Sequence, residues 1–258
     1  MHPGSLRLPA CAIVKPPTLM AVLAHPDDEV LCAGTLLTQR AAGSRVVVLW
    51  LTRGEMTDSL GPIGREEVAK RRLELGLQVA ELLDVEARWL SLPDSAVEAT
   101  PEAAREVAKV IADIKPDGLI TWGDAWARGF RHPDHQTTGK IARDAVNLAR
   151  IAGVVTPGAP HREFCPVFTL RDIHSTLPSV VLDVGDHADM IFKVAEHYRR
   201  AIGFGAREWL EGRLRSAGAR WDRDLVEEFD AWESGDGLVE QLLPHRQGSF
   251  HHHPERRV

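Results

Sequence analysis

The stretch TLMAVLAHPDDE, residues 18–29, decides how this sequence folds. Its first seven residues are apolar apart from Thr18, and a short run of this kind is typical of a strand buried on both faces. The run stops before Pro26, a residue that suits the first turn of a helix, and a helical pattern continues to about Gly43. The stretch therefore predicts a buried strand whose carboxyl end carries an imidazole and three acidic side chains.

Strands and helices continue to alternate after this stretch. The predicted strands are 45–52, 88–92 and 118–122, and the predicted helices are 65–83 and the segment from Thr100-Pro101 to Lys115-Pro116. Strands and helices that alternate at this spacing form a parallel sheet with right-handed crossovers. We therefore expect an α/β protein, a Rossmann-like three-layer sandwich with a mostly parallel central sheet.

The second half of the sequence has a less regular pattern. It predicts helices at 134–150, 186–204 and 207–216, strands at 167–173 and 180–184, and a loop at 151–166. No repeat and no clear linker divides the chain, so we expect one domain over residues 1–258. An irregular N-terminal arm at 1–17 and a polar tail at about 245–258, with a His251–His253 tract, complete this organisation.

The composition excludes several classes of function. A net charge of −6 without clustered Lys and Arg gives no indication of nucleic-acid binding. Three cysteines, an odd count with no zinc-finger spacing, favour a reducing compartment without disulfides. The N-terminus lacks a signal-peptide pattern, and no window approaches the roughly 18 apolar residues of a membrane span. We expect a cytoplasmic protein.

The most informative feature is a tripeptide that occurs twice. His-Pro-Asp at 25–27 is followed by Asp28, and His-Pro-Asp at 132–134 is followed by His135. Groups that follow the carboxyl ends of parallel strands meet in one crevice. Imidazoles and carboxylates suit Zn²⁺, which in catalytic sites takes three protein ligands and one water. His25, Asp28 and one or both of His132 and His135 supply enough ligands.

A purely structural explanation exists for each turn taken alone. Acidic residues 27–29 complement the dipole of a helix that begins there, and proline is common at the first helical position. Two such turns at equivalent strand ends carry more acids and imidazoles than helix capping needs. The sequence therefore favours a metal site.

At these residues the sequence closely resembles the PIG-L/LmbE-like family of zinc-dependent de-N-acetylases. The family motifs correspond to AHPDDE at 24–29 and HPDH at 132–135. TRGE at 52–55, a helix that carries Arg71, Arg72 and Glu74, and LPD at 92–94 resemble further family segments. The likeness covers roughly residues 18–200.

The resemblance implies a set of roles for the motif residues. One zinc ion per chain is held by His25, Asp28 and His135, Asp27 is the general base, and His132 stabilises the oxyanion or protonates the departing amine. Asp134 would orient an imidazole, or else simply be an acid at a helix start.

The resemblance also implies sugar contacts. Arg71 or Arg72, together with Asp94, would contact the substrate, with Arg65 as a third candidate for the arginine. The sequence departs from the family at Phe130, because some members carry there a tyrosine that can help to bind the oxyanion.

The implied activity is release of acetate from an N-acetylated sugar, such as an N-acetylglucosamine conjugate. The partner would be that small molecule, and a homo-oligomer is possible. Three alternatives stay open from the sequence. They are a zinc hydrolase that acts on a non-sugar amide or ester, a metal-binding protein without turnover, and a dinucleotide-binding module. The last is disfavoured, because acids stand where a glycine-rich turn would bind pyrophosphate.

Overall fold

The protein is built on a mixed sheet with helices on both sides. The computed structural model describes residues 15–232 and 237–244. Its strands are β1 (Thr18–Leu23), β2 (Arg45–Trp50), β3 (Glu86–Trp89), β4 (Gly118–Trp122), β5 (Val167–Leu170), β6 (Ser179–Asp183), β7 (Val226–Ala231) and β8 (Gly237–Val239). Its α-helices are α1 (Ala33–Ala41), α2 (Arg65–Leu83), α3 (Pro101–Ile114), α4 (Pro133–Leu148), α5 (Ala152–Val155), α6 (Ala188–Ile202) and α7 (Arg207–Gly218).

The strand order explains where a ligand site can form. Among the described residues the order is β3-β2-β1-β4-β5-β7-β6-β8. The first five strands of this order are parallel, whereas β7 runs antiparallel to both β5 and β6. After β1 the chain adds β2 and β3 on one side of β1, and it then adds β4 on the other side. The crevice between the carboxyl ends of β1 and β4 is therefore the switch point at which open α/β sheets bind ligands. The expected α/β class with a mostly parallel sheet is confirmed.

The first strand is buried on both faces, as its apolar run predicts. Leu19, Ala21 and Leu23 pack into the core on the side of α1, α2 and α6. Met20 and Val22 pack into the core on the side of α3 and α4. Because β1 lies at the centre of two cores, its carboxyl end is held firmly in position.

Some predicted boundaries were wrong by a few residues, and two strands were missed. The strand expected at 88–92 is β3, at Glu86–Trp89, and the loop expected at 151–166 contains the short helix α5. The strands β7 and β8 were not predicted from the sequence. The expected arm lies outside the described residues except at 15–17, and the expected tail, with its histidine tract, lies outside them altogether.

β7 was missed because its sequence, VEEFDA, carries three acids. Burial of two of them is nevertheless possible, because each has hydrogen-bond donors. Glu227, 3% exposed, accepts the main-chain N–H groups of Gly34 and Thr35 at 2.9 and 2.8 Å, at the start of α1. Asp230, 1% exposed, accepts a hydrogen bond from Arg171 at 2.7 Å. Burial raises the pKa of Glu227 to about 7.

Within residues 15–232 and 237–244, no helix is both long enough and apolar enough to cross a membrane.

Candidate metal centre

The two His-Pro-Asp turns lie side by side at the switch point. The first follows β1, and the second begins α4 after β4. β1 and β4 are neighbours in the sheet, with Leu19 opposite Gly118 and Ala21 opposite Ile120. The two turns begin 107 positions apart in the sequence (132 − 25), and the sheet itself brings them into one site.

Of the three side chains predicted to bind zinc, Asp28 lies in contact range of both His25 and His135. Asp28 Oδ1 lies 3.1 Å from His135 Nε2, and Asp28 Oδ2 lies 3.7 Å from His25 Nδ1. The main-chain N–H groups of Ala24 and His25 both donate to Asp28 Oδ2, at 2.9 Å each. Burial alone would raise the pKa of Asp28, but His135 and His25 hold it well below its usual range. Asp28 is therefore a fixed, ionised bridge between the two histidines.

Two further carboxylates face the other nitrogen of His25. Its Nε2 lies 3.0 Å from Asp134 Oδ2 and 3.2 Å from Asp94 Oδ1. Burial alone would lower the pKa of His25, but its bonds to Asp134, Asp28 and Asp94 raise it well above the usual value. Asp134 is fully buried and accepts main-chain N–H groups from Ser95 and Val97. Asp134 and Asp94 therefore fix the orientation of the His25 ring.

The second turn presents its two imidazoles differently. His135 stacks on the indole of Trp122, with ring centroids 3.7 Å apart and planes at 7°, and its buried Nδ1 has no hydrogen-bond partner. His132 is exposed at the rim and caps α4, because its Nδ1 accepts the N–H of Asp134 at 3.3 Å. The hydrogen of a neutral His132 therefore resides on Nε2. Partial desolvation of the ring at the rim, together with the nearby His25 and His135, lowers the pKa of His132.

Asp27 is held by both its side chain and its main chain. Arg72 donates to Asp27 Oδ2 at 2.8 Å, and the φ angle of Asp27 is 155°, a strained value for a residue with a Cβ. Gly54, with φ of +68°, passes so close that a Cβ there would lie 2.6 Å from Arg72 Nε. Burial raises the pKa of Asp27 although Arg72 opposes this.

The side chain of Glu29 also holds the main chain of Asp27 in position. Its Oε2 accepts the main-chain N–H of Asp27 at 3.1 Å and the indole N–H of Trp50 at 3.0 Å. Its Oε1 accepts a hydrogen bond from the hydroxyl of Tyr198, which belongs to α6. Glu29 belongs to the first motif but received no role from the sequence, and nothing local in the sequence connects it to Tyr198.

The structure also distinguishes the predicted sugar-binding residues by position. Arg72 and Asp94 line a cleft of about 410 Å³ that opens over the two turns, within the range of small-molecule sites. Arg71 lies on the exposed face of α2 and pairs with Glu67 at 2.8 Å, and Arg65 donates to the Glu55 carbonyl at 3.1 Å. Neither of these two arginines lines the cleft.

The donor set fits a divalent metal ion. Ligand atoms of His25, His132 and His135 lie within 4.8 Å of one another, and so do those of His25, Asp27 and Asp28. The unpartnered Nδ1 of His135 shows that this ring is not held by hydrogen bonds on both sides. Nitrogen and carboxylate oxygen at these positions match the ligands that zinc uses in catalytic sites. The fold and the site thus define an α/β protein with a histidine–carboxylate cluster able to hold a metal ion.

Comparison with known proteins shows a family similarity in the first part of the chain. Residues 20–146 match the model of the PIG-L family, described as GlcNAc-PI de-N-acetylase. This stretch contains both histidine turns, so the similarity to the PIG-L family includes the candidate metal centre. The resemblance inferred from the two motifs is confirmed at this level.

The relatives share the same region. The chain is 33% identical over 133 residues to a diacetylchitobiose deacetylase of Thermococcus kodakarensis, covering 51% of this chain and 49% of the relative. It is 32% identical over 166 residues to a 1D-myo-inositol 2-acetamido-2-deoxy-alpha-D-glucopyranoside deacetylase of Catenulispora acidiphila, covering 54% of each. The chain therefore spans about half the length of the curated relatives it matches.

A solved structure extends the likeness over most of the fold. A conserved protein of Thermus thermophilus superposes with a TM-score of 0.71 at 26% identity, covering 83% of this chain and 93% of that one.

Proposed function

We propose that this chain is a zinc-dependent N-deacetylase that hydrolyses the acetamide of an N-acetylated sugar, most simply an N-acetylglucosamine conjugate. The observation that carries the proposal is the contact between the two turns, in which Asp28 Oδ1 lies 3.1 Å from His135 Nε2 at the switch point of the sheet. The two curated relatives described above, both named as deacetylases of acetylated amino sugars, support the same reaction.

His25, Asp28 and His135 would hold the metal. A bound zinc ion supplies a Lewis acid that polarises the acetyl carbonyl and lowers the pKa of water. Asp94 and Asp134 keep the His25 ring oriented, since both carboxylates lie within 3.2 Å of its Nε2. Carboxylates in this position fix the ring and raise its basicity as a ligand.

Asp27 is positioned to move the proton. It lies beside Asp28 in the cleft, and Arg72 and the main-chain bond to Glu29 restrict its carboxylate to one place. A pKa raised by burial suits a general base, because its proton affinity is then closer to that of the group it serves. Asp27 would take a proton from the attacking water and return it to the departing amine.

His132 is placed to stabilise the oxyanion. Its Nδ1 is occupied by the N–H of Asp134, so its Nε2–H is free to donate at the rim of the cleft. A donor aimed at a developing oxyanion contributes about 3 kcal/mol to the transition state in comparable enzymes. In this role His132 does not need to be protonated, which refines the two roles left open by the sequence.

The test is release of free amine and acetate in equal amounts from a panel of N-acetylglucosamine conjugates, with zinc-loaded and chelated protein. We expect turnover only with metal, and loss of both bound metal and turnover in His135→Ala. His187→Ala is the matched control, because His187 lies outside the cleft. Metal-loaded protein that releases acetate only from simple amides would leave the sugar substrate without support, whereas bound zinc without any turnover would overturn the enzymatic proposal.

A further inference from the structure

The cleft above the proposed metal centre has a second wall that the chemistry does not use. Two segments build this wall. One is the loop after β2, with Met56 and Thr57, and the other is the end of α6 at Ile202 with Phe204 just after it. Met56 is 40% exposed and Phe204 is 37% exposed, although both are large and apolar. Half-exposed apolar side chains that line a ligand cleft indicate a contact with the ligand. We call these four residues the outer wall.

The side chains that line the cleft carry mostly negative charge. Asp27, Asp28 and Asp94 line it, and the guanidinium of Arg72, 4% exposed, is bound to Asp27. No other arginine and no lysine lines the cleft within the described residues.

The arginines nearest the loop after β2 are also engaged elsewhere. Arg53 pairs with Glu66 at 2.8 Å, and Arg65 donates to a main-chain carbonyl. Asp27, Asp28, Asp94 and the buried Asp134 together carry more negative charge than the positive charge of Arg72 and one divalent ion combined. A phosphate or carboxylate on the substrate would therefore be desolvated next to carboxylates. No unpaired cation lining the cleft would compensate its charge.

We propose that the group attached to the acetylated sugar is uncharged and presents an apolar face to the outer wall. This inference rests on the proposed function. An aryl or alkyl aglycone fits this description, as does the C–H face of a second sugar ring. The sugar that carries the acetamide reaches over the two histidine turns, and the attached group packs between Met56 on one side and Ile202 and Phe204 on the other.

The experiment compares phenyl N-acetylglucosaminide, N-acetylglucosamine and N-acetylglucosamine 1-phosphate with the zinc-loaded full chain. We expect kcat/KM to be about tenfold higher for the phenyl glycoside than for the free sugar, since one apolar contact of about 1.4 kcal/mol gives a factor of ten. We expect the phosphate to be at least about tenfold poorer than the free sugar. Equal kcat/KM values for the phenyl glycoside and the phosphate would overturn the inference.

Variants locate the effect on the outer wall. In Phe204→Ala the ratio of kcat/KM between the phenyl glycoside and the free sugar should fall about tenfold through KM, whereas Ile173→Ala, exposed and outside the cleft, should keep the ratio. Met56→Lys adds a cation and should shift the preference towards the phosphate. An unchanged preference in both wall variants would contradict the proposal.

Binding measurements separate this inference from the proposed function. Calorimetry with the phenyl glycoside and the phosphate sugar reports the same preference whether or not acetate is released. If no sugar is hydrolysed but the phenyl glycoside binds more tightly, the proposed reaction fails and the inference about the wall stands. If the phosphate sugar binds more tightly, the inference fails whatever the turnover.

Discussion

The buried carboxyl group of Glu227 should contribute a loss of stability as pH rises from about 4.5 to 7. The pKa of Glu227 is raised from 4.5 to about 7 by burial in β7. Below pH 4.5 the group is protonated in both the folded and the unfolded chain. Between the two values the unfolded chain releases the proton and the folded chain keeps it, so ionisation favours unfolding. Above pH 7 both states are ionised and the cost stays constant.

The size of the effect follows from the two pKa values. One pKa unit corresponds to about 1.4 kcal/mol, so the change from 4.5 to about 7 amounts to about 3 kcal/mol of unfolding free energy. Glu227 is 3% exposed, so solvent screening reduces this figure little. This free-energy figure already includes the hydrogen bonds from Gly34 and Thr35 to Glu227, because these bonds lower the pKa that burial raises.

The assay is urea unfolding at a series of pH values from 4.5 to 8, for the natural chain and for Glu227→Gln. We expect the difference in unfolding free energy between the two to change by about 3 kcal/mol across this range, in favour of the variant at high pH. Glu81→Gln, at an exposed position of α2, is the control and should show no such trend. A constant difference between the natural chain and Glu227→Gln would refute the assignment.

Three further outcomes follow from the site and its supports. Asp27→Asn should keep bound zinc and lose about 100-fold or more in kcat, whereas Asp28→Asn should lose zinc, as measured by metal content and amine release. Tyr198→Phe leaves Oε1 of Glu29 without its hydroxyl donor and should lower the unfolding free energy by about 2 kcal/mol in a urea titration; an unchanged midpoint would show that the bond is not made. Gly139→Ala should lose about 2 kcal/mol or more in the same titration, because its Cβ would lie 2.2 Å from a main-chain carbonyl oxygen of β4.

The parts of the fold that the sequence predicted well are those with regular local signals. β1 is an uninterrupted apolar run, and Thr100 caps α3 through a bond from the N–H of Ala103, at the helix start expected from Thr100-Pro101. β7 has no such signal, since its three acids look like a solvated surface. Their donors come from α1 and from the end of β5, which are far away in the sequence.

The residues of the site also divide into those that local sequence patterns predicted and those that depend on contacts between distant parts of the chain. The side chains proposed to bind the metal follow two strands that are neighbours in the sheet, so a motif and a strand pattern were enough to expect them together. The orienting contact between Asp94 and His25 needs the loop after β3 to fold over β1, and no pattern in the sequence encodes that distance. The same holds for Tyr198, 169 residues from its partner Glu29.

α6 contributes both to the support of the candidate metal centre and to the lining of its cleft. Tyr198 and Ile202 are four residues apart and share one helical face, so one residue holds Glu29 while the other borders the cleft. The matched family region ends at residue 146, before this helix. Under the proposed function, a change at Phe204 should therefore alter the preferred substrate while both histidine turns stay as they are, provided that Tyr198 keeps its bond to Glu29.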